Sequence, residues 1–169
     1  MIKVLFICHG NICRSPMAEF VLRDFITKIG MDDNFIVGSA ATSQEEIGNG
    51  VYPPVKKILT SLGIDCSNKV ARQINLGDTK SFDYIIAMES VNLDNLYRLF
   101  PRCDKSKVYL LKDFTDTPGD IADPWYTRDF DKAYKEIATG CLGLLKSLNQ
   151  DALISLDEKQ HKALDSLVI

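Results

Sequence analysis

The 169-residue sequence has no apolar run close to the roughly 20 residues that cross a bilayer. Before Cys8-His9-Gly10 it offers one lysine and about six apolar residues, too few for the apolar region of a secretory signal. The expectation is a cytoplasmic chain with no membrane partner. An excess of charge of one sign is missing too: 20 Lys and Arg against 23 Asp and Glu leave −3. That balance does not predict a nucleic-acid partner, and an anionic ligand would need a locally positive site. There are only two histidines and no Cys-x-x-Cys pair, so no zinc centre is expected. The five cysteines, Cys8, Cys13, Cys66, Cys103 and Cys141, are odd in number and scattered. They fit reduced thiols better than a disulfide framework. Nothing calls for a metal or a cofactor. Internal repeats, low-complexity tracts and long linkers are also lacking. With 46% hydrophobic residues, the chain can build one domain around one substantial core.

What is present alternates. Ile2–Ile7, Phe35–Ser39, Asp83–Met88 and Lys107–Leu111 are short runs apolar on both faces, as in a parallel sheet covered by helices. Between them the spacing predicts helices over Pro16–Ile29, Pro53–Leu62 and Val91–Leu99. A long one follows over Phe130–Leu148, where Gly140 and Gly143 would allow close helix–sheet approach. Strand alternating with helix gives an α/β fold. It is an open, doubly wound, four-stranded parallel sheet with helices on both faces, and ligands bind at the carboxyl ends of its strands.

The stretch CHGNICRSP (Cys8–Pro16) stands at such an end, directly after the first strand. A helix starting there offers unpaired N–H groups and the positive end of its dipole. Ser15 suits the N-cap and Pro16 the first helical position. Gly10 and Asn11 tolerate positive φ, which lets successive N–H groups curl into an anion nest. Arg14 adds a planar fork that matches a phosphoryl group. Cys8 at the head of the loop faces the same positive field, which favours a nucleophilic thiolate and attack on phosphorus. A cysteine after a strand has a plainer reading as a small core residue. The combination in a strand–loop–helix context outweighs it.

FICHGNICRSPMAE (Phe6–Glu19) resembles the signature of low-molecular-weight protein tyrosine phosphatases. The likeness continues in GSAATSQEEIGN (Gly38–Asn49), VARQI (Val70–Ile74), FDYIIAME (Phe82–Glu89) and DPWY (Asp123–Tyr126). It runs in order over about residues 2–149. Residues 1–149 are therefore expected to form a phosphatase domain and 150–169 a C-terminal extension, helical or frayed. The resemblance implies that Cys8 is the nucleophile, that Arg14 holds the transferred phosphoryl group, and that backbone N–H groups from His9, Gly10, Asn11, Ile12 and Cys13 to Arg14 complete the cradle. It implies that Ser15 donates to the Cys8 sulfur. Asn11 would be held in a strained conformation by side-chain hydrogen bonds, with Ser39 as a matching partner.

A proton donor is also needed to expel a tyrosyl oxygen. Asp113, Asp116, Asp120, Asp123, Asp129 and Asp131 are all available, and residue chemistry alone does not choose among them. Asp123 stands out because Pro124, Trp125 and Tyr126 would fix and partly desolvate it, and it matches the family's Asp-Pro acid. Trp125, Tyr126 and Ile12 would line a cleft for a phenyl ring, although packing anchors are the plainer role for the two aromatics. An aromatic that some members carry near Glu45 is absent. His9 is either a determinant of substrate preference or an exposed rim residue. Cys13 either packs beneath the cradle or traps an oxidised Cys8 as a disulfide, which the resemblance favours.

The implied substrate is a phosphotyrosine protein or a small aryl phosphate, and the product is inorganic phosphate, released by a monomer or weak dimer without a cofactor. Arsenate reductases share the fold and loop but need further cysteines, and Glu89–Leu99 has none. Protein arginine phosphatases carry threonine where Ile12 stands. Phosphocarrier domains lack the arginine. A non-catalytic phosphoprotein-binding module would need neither Asp123 nor Ser15.

Overall fold

A computed structural model describes all residues 1–169. The expected sheet is present, with strands β1 (Ile2–Cys8), β2 (Phe35–Ala41), β3 (Tyr84–Ala87) and β4 (Val108–Leu110). Their order is β2-β1-β3-β4 and every pairing is parallel. β1 lies between β2 and β3, so the chain leaves its carboxyl end at the point where the winding reverses.

The alternation of β1 divides the core. Val4 and Phe6 pack in the larger cluster with Met17, Val21 and Leu22 of α1 (Arg14–Lys28) and Ile137 and Leu144 of α6 (Phe130–Gln150). Leu5 and Ile7 face the other way, with Ile85, Ala87 and Leu96 of α4 (Ser90–Leu99). Burial on both faces makes β1 a rigid base for whatever follows Cys8. α2 (Pro53–Ser61) and a short α3 (Leu76–Ser81) lie between β2 and β3, and a one-turn α5 (Pro124–Thr127) precedes α6.

The first helix starts two residues earlier than the proline predicts. Cys13, not Ser15, is the N-cap, and Met17 N–H closes the first turn on Cys13 O at 3.1 Å. Pro16 falls at the third helical position, where its missing N–H is still one of those without a partner inside the helix. Ser15 is thereby released from capping and turned towards Cys8. Only Asn11 of the loop has positive φ, at 62°. Gly10 does not; a Cβ there would come within 3.3 Å of Glu46 Cγ, so that glycine serves a close approach rather than a backbone turn.

The two α6 glycines allow close approach to a different partner from the expected one. A Cβ on Gly143 would meet the Phe114 carbonyl at 1.9 Å, and one on Gly140 would meet Leu111 at 2.5 Å. Both contacts are to the 3₁₀ turn Leu111–Phe114 after β4, which leads the chain towards Asp123. In the tail, α7 (Glu158–Asp165) forms with an Asp157–Gln160 capping box. Leu164 and Ile154 are buried in the larger cluster, and Gln160 Nε2 donates to Gly30 O at 3.2 Å. No helix is long and apolar enough to cross a membrane.

Candidate active site

The segment from Cys8 to Arg14 joins the last residue of β1 to the first of α1 and curls around the Cys8 sulfur. Two donors reach that sulfur: the Asn11 N–H at 3.3 Å and the Ser15 hydroxyl at 3.0 Å. The direction of the Ser15 bond follows from its other contact. Its oxygen accepts from Asn11 Nδ2 at 2.8 Å, which leaves the hydroxyl hydrogen for the sulfur. The second Nδ2 hydrogen goes to Ser39 Oγ at 2.9 Å, and Oδ1 accepts from the Arg72 N–H at 3.2 Å. Three side-chain bonds thus hold Asn11 in the left-handed region, which is costly for a residue with a Cβ. Ser39 passes the chain on to Glu19 Oε1 at 2.6 Å.

Glu19 is 3% exposed and bears a charge that must be paired. Lys69 Nζ lies 3.3 Å away and Arg23 2.9 Å. Burial pulls the Lys69 ammonium below its ordinary range, and Glu19 works against that pull. The cradle therefore stands on buried polar contacts drawn from β2, α1 and the loop before α3.

Arg14 is 1% exposed. One end of its fork donates to Ile121 O at 2.8 Å and meets Glu89 at 2.9 Å; the other meets Asp123 Oδ2 at 3.2 Å. Burial alone would discourage its charge. The neighbouring Cys8, Asp123 and Glu89 outweigh that and raise the guanidinium above its usual value. Glu89 is fixed in turn by Asn92, whose Oδ1 accepts from the Glu89 N–H at 3.0 Å.

Asp123 caps α5 by accepting from the Trp125 N–H at 3.0 Å. The Asp123 side chain is half-buried. Trp125 is 44% and Tyr126 82% exposed, and the carboxylate's partners are Arg14 and a backbone N–H. Proline fixes the following turn, so helix geometry holds the carboxylate in place.

One cavity gathers most of the expected residues: Cys8, His9, Gly10, Asn11, Ile12, Cys13, Arg14, Asp123, Trp125 and Tyr126. Ser15 and Ser39 lie beneath it, in the hydrogen-bond network. The wall left without an aromatic is acidic, made by Glu45 and Glu46, and His9 Nε2 reaches Glu45 at 2.9 Å. Cys13 is a buried thiol at the base of the loop; burial, then the neighbouring Cys8 and Asp123, push it up to about 12.

Sequence reasoning gave no role to Glu19, Lys69, Arg72 or Glu89. Glu19, Arg72 and Glu89 stand inside the motif stretches quoted above, which is the signal that marks them. Lys69 stands one residue before such a stretch.

A family model described as low molecular weight phosphotyrosine protein phosphatase matches residues 3–154. A low molecular weight protein-tyrosine-phosphatase of Bacillus subtilis, YfkJ, is 38% identical, over 89% of this chain and 98% of the relative. Its crystal structure superposes with a TM-score of 0.86, covering 89% of this chain and 96% of that one. The low molecular weight phosphotyrosine protein phosphatase of Schizosaccharomyces pombe is 37% identical, over 87% of this chain and 97% of its own. A Drosophila arginine phosphatase also superposes, with a TM-score of 0.80 at 29% identity, covering 89% of this chain and 99% of that one.

Proposed function

Because this chain belongs to the low molecular weight phosphotyrosine protein phosphatase family, we propose that Cys8 is the nucleophile, Arg14 the phosphoryl-binding fork and Asp123 the proton donor of its reaction. The enzyme hydrolyses phosphotyrosine. The observation that carries the assignment is the Cys8 sulfur, which faces the Asn11 N–H and the Ser15 hydroxyl at one end of a cavity that also holds Arg14 and Asp123.

The Cys8 sulfur attacks phosphorus and the bond to the tyrosyl oxygen breaks. Asp123 gives its proton to that oxygen, so the product leaves as a neutral phenol. Arg14 and the loop N–H groups bind the equatorial oxygens as charge spreads over them. In the second step Asp123 takes a proton from water, whose oxygen attacks phosphorus and breaks the P–S bond. The thiolate leaves towards the Ser15 hydroxyl, and inorganic phosphate is released. Ile12, Trp125 and Tyr126 bound the space for the ring, and His9 stands at its rim beside Glu45. We assign catalysis to residues 1–149, with 150–169 as an extension packed on α1, and expect a cytoplasmic monomer or weak dimer.

The substrate class is tested with peptides matched except for their phosphoresidue. An apolar Ile12 beside an open aromatic rim favours a phenyl over a guanidinium phosphate. The expected result is a kcat/KM on phosphotyrosine at least about 100-fold above that on phosphoarginine, as a shaped pocket can deliver. The reverse preference would make the chain an arginine phosphatase, and turnover of arsenate alone would make it a reductase.

Cys13 supplies a second test. Peroxide converts the Cys8 thiolate to a sulfenic acid, and Cys13 then displaces water from it to form a disulfide. Cys8 is one of the influences that hold the Cys13 proton in place, and its conversion to a neutral sulfenic acid removes that influence. Wild type inactivated by peroxide should regain most of its activity in dithiothreitol, whereas Cys13→Ser should regain about a tenth or less, because its sulfenic acid oxidises further. Equal recovery would refute the trap.

A further inference from the structure

We infer that Arg128 and Tyr52 form a clasp that positions the Asp123 segment against the phosphate-binding loop; this rests on Asp123 being the proton donor. Arg128 is the C-cap of α5, whose N-cap is Asp123. It is held at φ 59°, in the left-handed region that an arginine enters only at a cost. Both terminal nitrogens of its fork donate to the Tyr52 hydroxyl at 3.2 Å. The guanidinium also lies 5.5 Å from the Tyr52 ring centroid and 5.1 Å from that of Phe130, at cation–π range.

Tyr52 completes the link on its other side. Its ring packs against Trp125 with centroids 4.9 Å apart, and its backbone N–H donates to Ile12 O at 2.9 Å. One residue thus touches the phosphate-binding loop through its backbone and the acid-bearing turn through its ring, while Arg128 locks the far end of that turn. A four-residue helix has too few hydrogen bonds to hold its own place. Neither Arg128 nor Tyr52 lines the cleft, and the contacts of their side chains with Trp125, Phe130 and each other bear on the segment that carries Asp123.

Positioning of an acid shows in leaving-group dependence. Para-nitrophenol departs readily without full protonation, whereas phenol needs the proton. Arg128→Gly removes the clasp and suits the left-handed backbone, so it separates the side chain's role from strain. Its kcat/KM should fall about 10-fold on phenyl phosphate and about twofold or less on para-nitrophenyl phosphate, a part of the full general-acid contribution. Tyr52→Phe keeps the ring and should move in the same direction by less. Arg128→Lys keeps the charge without the fork and should fall between wild type and Arg128→Gly. Equal losses on both esters, or no loss on either, would overturn the clasp. Asp123→Ala run in parallel separates the failures. If it discriminates strongly between the esters and Arg128→Gly does not, the clasp alone is wrong. If it does not discriminate, the acid assignment is wrong and the clasp falls with it. Turnover of neither ester by wild type would refute the phosphatase roles as a whole.

Discussion

Cys8→Ser should reduce kcat on para-nitrophenyl phosphate by more than about four orders of magnitude, the loss expected when a nucleophile that acts as one unit with its partners is removed. The substitution changes one atom. Serine is nearly the size of cysteine, and its hydroxyl can use the two donors that now reach the sulfur, the Asn11 N–H and the Ser15 hydroxyl. Arg14 and its carboxylate partners are untouched. The cradle should therefore survive, and titration calorimetry should find inorganic phosphate bound within about threefold of the wild-type affinity, since the loop N–H groups and Arg14 supply that binding. What disappears is the thiolate: a serine hydroxyl without a base beside it stays protonated at neutral pH and is a poor nucleophile. The side-chain partners of the sulfur include no carboxylate, and Asp123 and Glu89 are both engaged by Arg14. Full turnover by the serine variant would end the covalent mechanism. Loss of both turnover and phosphate binding would mean that the sulfur shapes the loop rather than attacks the substrate.

The strand–loop–helix unit around Cys8 was readable because its signals are local. A short apolar run, a cluster of turn residues and a periodic helix follow one another within about 30 positions, and each has its own pattern. The four strands were located to within one or two residues at each end for the same reason. Local signals failed where two helix starts competed. Pro16 advertises a first turn, but the cap falls at Cys13, with Ser15 bonded to Cys8 and Asn11, and Asn11 tied in turn to the distant Ser39 and Arg72. α3 and α5, of six and four residues, are too short to carry a period. The tail's helix depended on burying Leu164 and Ile154 against elements far away in sequence. Support for the site was the least legible part. Glu19, Lys69 and Glu89 are ordinary charged residues in a sequence, of the kind that usually sits on the surface. Glu19 is buried and Lys69 and Glu89 are half-buried, and their pairing includes long-range contacts such as Arg14 to Glu89, across 75 positions, that no periodicity encodes. Tyr52 likewise reads as the residue before a proline pair, and only the folded chain brings it to Arg128.

Arg14→Lys should lower kcat/KM by about 1,000-fold or more while leaving a folded protein, because charge alone does not replace the fork. Arg14 has three simultaneous partners, Ile121 O, Glu89 and Asp123, spread over two ends of a planar group. A lysine ammonium is a compact point charge that cannot span them, and it cannot grip two equatorial oxygens of a phosphoryl group in one plane. The loss of a transition-state charge clamp is typically worth about 10²–10³ in rate, and disordering the Asp123 contact adds to it. Arg14→Ala separates rate from stability. It leaves Glu89 and Asp123 without the buried cation they share, and removing one member of such a group costs about 3–5 kcal/mol. For a domain of this length that corresponds to a fall in Tm of about 6–20 °C, at 2–4 °C per kcal/mol. The lysine variant, still charged, should lose less than half as much. Two measurements decide between the roles. Thermal unfolding of wild type, Arg14→Lys and Arg14→Ala reports the charge. Kinetics on para-nitrophenyl phosphate report the fork. If Arg14→Lys keeps kcat/KM within about tenfold of wild type, Arg14 serves as a buried counter-ion, and the phosphoryl group is held by the backbone N–H groups of the loop alone.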